Sequence, residues 1–416
     1  MDIQKHKHHR DEDKKSSRDW SGLPDNVIAT ISDKISLCDS LSFSNVCKPW
    51  RILQKETLTI HRNPLRGFPW LVMSKEMGSE PKRCFSVLEN KVWKMKMPKA
   101  DRVLIIWGSF EDWLVMAKSP SDKILFGIRI SLLNPFSGAE VVLSKADTRY
   151  HKLVFSGDPN KETCVYMAFS YVSRAFFAWI LGAKDWLGSY LEEETDGLVD
   201  LISFNGSFYF LTKGYNIRVV DAAYAYSTVQ SVDFDHYSVD HLMMINTRFY
   251  KVKMSPDIPI NSDLNVQIFR YLVEFRGEIL LITRFMRKIY IETYDFKVFR
   301  LDFDLMEWVE LDNLGDFCIF LGRNCTRCYS TKELEVNKGN CIYFTNEFGP
   351  RSWVDRDHKL SCSEIDDWGI FRLNSGDCNG NGNGGSESFS YHANIDRRTP
   401  VWLTAPMSWY LDEFRP

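Results

Sequence analysis

The sequence predicts a small module of three short helices followed by a large all-β domain, folded as a propeller or a barrel. Three observations support this fold class. Apolar residues between Ser21 and about His61 recur at helical spacing. After Gly67, short apolar and β-branched runs alternate with clusters of Gly, Asn, Asp, Pro and Ser. No long amphipathic pattern interrupts this alternation, which argues against a parallel α/β sheet.

The first predicted helix carries its apolar residues on one face, at Val27, Ile28, Ile31 and Ile35. Pro24 suits the first helical position, and Asp25 suits the positive end of the helix dipole. A second short helix is predicted over Asp39–Cys47, and Pro49 opens a third. Three helices in about 40 residues form a core that is marginal alone, so we expect the module to pack against something else.

The β region is divided by turn residues into many short strands. Asn205-Gly206 and Arg276-Gly277 are predicted to close hairpins. At about 45–50 residues per four-stranded blade, the region would hold six or seven blades. The predicted strands include Trp70–Met73, Val103–Trp107, Trp113–Met116, Ile124–Leu133, Cys164–Phe169, Ala175–Leu181, Leu198–Phe204, Phe208–Leu211, Tyr271–Phe275, Ile279–Ile282, Ile289–Tyr294, Phe317–Leu321 and Cys341–Phe344.

Composition excludes several functional classes. A net charge of −3 argues against bulk binding of nucleic acid, which needs a basic face. The sequence contains no stretch of about 18 uncharged apolar residues, so no membrane span is predicted. Residues 1–18 mix Lys, His, Arg, Asp and Glu and lack the apolar core of a secretory signal, so we interpret them as a disordered tail. The expected location is the cytoplasm, the nucleus or both.

Neither a cofactor nor a catalytic site is predicted. Cys325-x-x-Cys328 lies between Cys318 and Cys341, but these outer cysteines stand in apolar strand-like runs, so core packing is favoured over zinc. Charged loops usually face water, and the same is expected of a five-residue acidic and histidine group, Asp233, Asp235, His236, Asp240 and His241. The Gly- and Asn-rich run over 376–388 lacks the strand, helix and Lys of a phosphate-binding loop.

Two short motifs at the ends of the helical module carry a family resemblance. Leu23-Pro24 opens the segment and Val46-Cys47-Lys48-Pro49-Trp50-Arg51 ends it, and together they resemble the F-box. The resemblance implies an F-box over 19–62 that binds a Skp-type adaptor and, through it, a cullin–RING ubiquitin ligase. It places the following residues in or beneath the adaptor interface: Leu23, Pro24, Val27, Ile28, Ile31, Val46, Cys47, Trp50 and Arg51.

The β region also resembles a known family. The segments Leu132–Gly138, Trp308–Leu311, Leu314–Asp316 and Asn340–Phe344 are similar to those of plant F-box proteins with a KIB-type β-propeller. This resemblance implies a propeller over 68–413 that binds proteins destined for ubiquitination. It does not supply the target.

The predicted function is therefore that of a non-catalytic substrate-recognition adaptor in a Skp–cullin–F-box ubiquitin ligase. One alternative is a protein-binding scaffold with a vestigial F-box, which would leave the half-life of its partner unchanged. Another is a propeller enzyme or sugar-binding protein, which would show converging carboxylates or an aromatic platform in a cleft.

Overall fold

The computed structural model describes residues 22–32, 43, 46–50, 52–53, 69–73, 82–87, 90–95, 103–110, 112–118, 129–135, 137–143, 150–170, 174–191, 197–235, 245–254, 265–288, 292–322, 325–334, 336–345, 367–373, 386–388 and 401–403. The chain divides into two units, one within 1–64 and 407–416, the other within 65–406. The predicted tail over 1–18 and the predicted domain limits 19–62 and 68–413 end at residues outside the described part, so these limits stay predictions.

The N-terminal unit contains helix α1 (Asp25–Ser32), and residues 43, 48–50 and 52–53 are also helical. Pro24 ends the preceding segment, and its carbonyl oxygen accepts hydrogen bonds from the N–H groups of Val27 and Ile28 at 3.0 and 3.1 Å. The predicted helix is confirmed, but it begins at Asp25, so Pro24 directly precedes the first helical residue instead of occupying that position. Helical residues 48–50 include Pro49, as expected for a proline in a first helical turn.

Six sheets of four or five strands form the blades of a propeller, which confirms the predicted fold and gives a blade count of six. Blade A contains β26 (Val401–Leu403), β1 (Trp70–Met73), β2 (Lys82–Ser86) and β3 (Lys91–Met95). Blade B contains β4 (Val103–Phe110), β5 (Trp113–Lys118), β6 (Arg129–Leu133) and β7 (Glu140–Leu143). Blade C contains β8 (Lys152–Phe155), β9 (Val165–Ser170), β10 (Ala175–Ile180) and β11 (Leu187–Tyr190).

The remaining blades carry the additions to the regular pattern. Blade D contains β12 (Leu198–Phe204), β13 (Ser207–Thr212), β14 (Ile217–Asp221) and β15 (Arg248–Tyr250). Blade E contains β17 (Val266–Phe275), β18 (Glu278–Arg287), β19 (Glu292–Asp302), β20 (Glu307–Leu311) and β16 (Lys253–Met254). Blade F contains β22 (Cys325–Ser330), β21 (Phe317–Gly322), β23 (Cys341–Phe344), β24 (Gly369–Arg372) and β25 (Ser386–Ser388).

Blade F departs from simple up-and-down order. β21 pairs antiparallel with β22 on one side and parallel with β23 on the other. After β21 the chain forms a hairpin with β22, which lies on the inner side of β21. It then passes through the short helix α3 (Thr331–Leu334) and rejoins the sheet as β23, on the other side of β21. This places β22 at the inner edge of the blade, where it contacts the inner strands β17 of blade E and β4 of blade B.

Tight turns explain why the hairpins form where they do. Asn205 and Gly206 have φ of 45° and 72°, and Arg276 and Gly277 have φ of 54° and 78°. Positive φ at both central residues is the geometry that matches the twist of a two-residue hairpin. Both predicted hairpins are confirmed, and Arg276 adopts a conformation that asparagine or glycine usually occupies.

The hydrophobic core lies between neighbouring blades. Between blades D and E, for example, Leu211 and Ile217 belong to the same cluster as Leu281 and Trp308. The indole N–H of Trp308 donates to the carbonyl oxygen of Tyr215, at 2.9 Å. Each blade therefore buries both of its faces, which accounts for the nearly continuous apolar runs in the sequence.

A buried ion pair joins the inner strands of three blades. Lys152 of β8 donates to Asp200 of β12 at 2.6 Å, and the N–H of Leu272 of β17 donates to the other carboxylate oxygen, also at 2.6 Å. Burial raises the pKa of Asp200, and the Lys152 ammonium acts in the opposite direction. This contact aligns β8, β12 and β17 side by side around the propeller axis.

Helix α2 (Ala222–Ser231) was not predicted from the sequence. The side chain of Asp221 caps it by accepting a hydrogen bond from the N–H of Tyr224 at 2.8 Å. Ala222, Ala225 and Val229 are buried in the cluster between blades C and D. The helix therefore packs against the blade junction with small residues. Their apolar pattern is too weak to predict a helix from periodicity.

The buried thiol of Cys84 gives a first testable expectation. Burial raises its pKa to about 12, so the thiol stays protonated at pH 8. We expect N-ethylmaleimide at pH 8 to label the half-buried Cys47 in the folded protein and to label Cys84 only after denaturation. Peptide mass spectrometry measures this, and equal labelling rates for the two cysteines in folded protein would contradict it.

Candidate protein interface

The N-terminal unit is built around three buried side chains. Ile28, Phe43 and Trp50 are exposed by only 1%, 7% and 8%. The rings of Phe43 and Trp50 lie 4.4 Å apart between centroids, at an interplanar angle of 33°. Four half-buried residues pack against this core: Leu23, Ile31, Cys47 and Leu53. A core of this size can bury only a small apolar area, so some apolar side chains of the unit stay exposed.

Three large aliphatic side chains of the unit face solvent. Val27 is exposed by 39%, and Val46 and Ile52 by 49% each. Pro24, which precedes α1, is also exposed. Several exposed apolar groups on so small a unit are typical of a surface that a partner protein covers. They offer dispersion contacts and apolar burial, but no acid, base or nucleophile.

The structure separates the predicted site residues into three groups. Pro24, Val27 and Val46 are exposed and can touch a partner directly. Leu23, Ile31 and Cys47 are half-buried, whereas Ile28 and Trp50 lie in the core and can only support the surface from beneath. Arg51 lies outside the described residues. These positions are compatible with the predicted interface but do not test it.

Ile52 is the exposed residue that the sequence analysis missed. Its one available signal is that it stands two residues after Trp50, at the end of an apolar motif. Helical spacing places the Ile52 side chain away from Trp50, which agrees with its exposure to solvent.

Within the described residues, the clusters considered for chemistry do not converge. No group of three or more His, Cys, Asp or Glu side chains there could hold a metal ion. The Sγ atom of Cys325 lies 3.8 Å from the carbonyl oxygen of Trp402, whereas Cys318 and Cys341 contact each other. Asp235 pairs with Lys184 on the surface, and His236, Asp240 and His241 lie outside the described part.

The described helices are also too short or too polar to cross a lipid bilayer.

Comparison with known families covers both units. The family model for the F-box domain matches residues 20–57. The family model for the KIB1-4 beta-propeller matches residues 84–372, which is more than half of the chain. The two matches cover the exposed apolar side chains of the N-terminal unit and four complete blades, B to E, together with parts of blades A and F.

Curated relatives of similar length come from Arabidopsis thaliana. F-box protein At1g69090 is 21% identical over 349 residues, which span 78% of this chain and 81% of the relative. F-box/kelch-repeat protein At1g64840 is 23% identical over 376 residues, spanning 79% and 85%. F-box only protein 7 is 21% identical over 330 residues, spanning 72% and 78%. The chain therefore belongs to the KIB1-4 beta-propeller family and carries an N-terminal F-box domain, like its plant F-box relatives.

Proposed function

We propose that the protein is the substrate-recognition adaptor of a Skp–cullin–F-box ubiquitin ligase. The observation that carries the proposal is the exposure of four apolar side chains, Pro24, Val27, Val46 and Ile52, on a unit that matches the F-box domain. This surface would bind a Skp-type adaptor, and through it the cullin–RING ligase. The propeller would bind the protein target. Both roles fit a cytoplasmic or nuclear protein.

The proposed role requires no chemistry from the chain itself. Holding a target and a ubiquitin carrier in one assembly turns their encounter into an intramolecular event, with a local concentration set by the geometry of the assembly. The propeller offers exposed apolar side chains at its turns for target contacts, including Phe303 at 45% and Leu305 at 62% exposure.

The first experiment measures binding of the full chain to a purified Skp-type adaptor. Val27→Asp and Val46→Asp are expected to weaken binding by tenfold or more, because each places a charge in an apolar contact. These positions are exposed, so folding should be preserved. Thr30→Ala, an exposed polar position on the same helix, is the matched control and should bind like the wild type. Leu23→Ala/Pro24→Ala should also weaken binding.

The outcome separates the ligase adaptor from the scaffold. A well-folded wild-type chain that fails to bind the adaptor would overturn the proposal and favour a non-degradative scaffold. Trp50→Ala is not a suitable probe of direct contact, because Trp50 belongs to the core and its loss would unfold the unit.

A further inference from the structure

Two cysteines in blade F lie side by side without being bonded. Cys318 of β21 and Cys341 of β23 are register partners on neighbouring parallel strands. Their Sγ atoms are 3.3 Å apart, and both residues are fully buried. None of the other described cysteines has a thiol contact of this kind.

The backbone geometry permits a bond between these two sulfur atoms. Neighbouring strands lie about 4.8 Å apart, and disulfides form when the Cα atoms are about 4.4–6.8 Å apart. The sulfur atoms would have to approach by a further ~1.3 Å to reach the usual S–S length of about 2.05 Å. Side-chain rotation together with a small shift of the strands can supply this movement.

The surroundings favour Cys341 as the thiol that reacts first. Arg372 is the register partner of Cys341 on the next strand, β24, so a positive charge lies beside this sulfur. Contact with the Cys318 sulfur and the Arg372 guanidinium lower the pKa of Cys341, against the opposing effect of burial. A larger thiolate fraction raises reactivity toward oxidants.

A partly exposed stretch of chain contacts the pair. The Sγ atom of Cys318 lies 3.7 Å from the carbonyl oxygen of Lys338, and Asn337 and Lys338 are exposed in the stretch between α3 and β23. Displacing this stretch, without opening the sheet, would give a small oxidant access to the sulfur atoms. Local opening of a surface loop costs far less free energy than global unfolding.

We propose that Cys318 and Cys341 form a reversible disulfide when the protein meets a peroxide. The Cys341 thiolate attacks one peroxide oxygen, the O–O bond breaks, and a sulfenic acid and hydroxide form. The Cys318 sulfur then attacks the Cys341 sulfur, and the sulfenic oxygen leaves as water. Overall, two thiols and one hydrogen peroxide give one disulfide and two waters.

The bond would fasten the inner edge of blade F. It would close the segment between the two cysteines, residues 319–340, which contains β22 and α3. β22 contacts blades B and E, and its Cys325 thiol donates to the carbonyl oxygen of Trp402 in β26. A covalent link across this segment restricts the unfolded chain and so stabilises the folded ring. The inference is independent of the proposed ligase function.

The test treats the folded full chain with hydrogen peroxide, blocks the remaining thiols with N-ethylmaleimide and maps peptides without reduction. We expect a cross-linked peptide pair containing Cys318 and Cys341, a loss of two thiols per chain, and full reversal by dithiothreitol. The thermal midpoint should rise on oxidation of the wild type and stay constant for Cys341→Ala. Cys318→Ala is expected to leave Cys341 as a sulfenic acid that dimedone traps.

The matched control is Cys164→Ala, which removes a buried thiol without a thiol neighbour and should leave the cross-link intact. A disulfide between other cysteines, or a Cys318–Cys341 bond that appears only after denaturation, would overturn the proposal. Peroxide treatment that leaves both thiols free would overturn it as well.

Discussion

Replacing Asp367 by alanine is expected to lower the free energy of unfolding of the propeller by about 3–5 kcal/mol, because it strands a buried positive charge. The Arg284 side chain is fully buried, and its guanidinium donates to the Asp367 carboxylate at 2.8 Å. The same guanidinium donates to the hydroxyl of Thr293 and to the carbonyl oxygen of Thr345. Because the side chain is fully buried, these protein acceptors take the place of water around the charge.

Asp367 also links two blades. Its carboxylate accepts hydrogen bonds from the N–H and the hydroxyl of Thr293, at 2.9 and 2.8 Å. Arg284 and Thr293 belong to blade E, whereas Asp367 lies two residues before β24 of blade F. Loss of the carboxylate therefore leaves unpaired donors at a blade junction as well as an unpaired charge.

Urea and thermal denaturation measure this effect. Glu292→Ala is the matched control, because Glu292 pairs with Arg287 at 3.7 Å on the surface, where both side chains are more than half exposed. Its cost should stay below about 1 kcal/mol. The double variant Arg284→Met/Asp367→Leu should recover part of the loss, because it removes the charge together with its partner. An Asp367→Ala protein no less stable than Glu292→Ala would contradict the expectation.

Trp402→Ala is the second substitution with a large expected effect, about 3–5 kcal/mol, because it empties a large buried volume. Trp402 lies in β26, which pairs with β1 and so closes the ring of blades. Its indole N–H donates to the carbonyl oxygen of Leu321 at 2.9 Å. Its ring packs edge-on against Phe320, with centroids 5.0 Å apart.

The closure depends on contacts on both sides of Trp402. Ser109 of β4 and Cys325 of β22 both donate to its carbonyl oxygen. Trp402→Phe keeps most of the buried ring and should cost less than Trp402→Ala. Limited proteolysis should cut Trp402→Ala within the propeller under conditions that leave the wild type intact. Equal resistance of the two proteins would show that ring closure does not depend on this side chain.

The hairpins of the propeller were predictable because their determinants are local. Asn205-Gly206 carries its own turn geometry, and apolar alternation marks the strands on either side. The pairing of β26 with β1 was not predictable, because nothing in either strand specifies a partner more than 300 residues away along the chain. The ion pair between Arg284 and Asp367, which lie 83 residues apart in the sequence, was not predictable for the same reason.

The sequence predicted which segment carries the candidate site, but not which of its side chains are buried and which are exposed. Helical spacing correctly placed Val27, Ile28 and Ile31 in one helix. Spacing does not distinguish a side chain that meets its own core, such as Ile28 or Trp50, from one left for a partner, such as Val27. That distinction depends on where Phe43 and Trp50 meet in three dimensions.

The pairing of β26 with β1 also has a consequence for the nascent chain during protein synthesis. Of the strands that the structure describes, β1 is the first to emerge during translation, yet its neighbour β26 is made last. Until then the nascent chain presents β1 with one unpaired edge, which is the kind of edge that other chains can join. A premature stop codon before Val401 would leave that edge permanently open, and we would expect quality control to degrade the product.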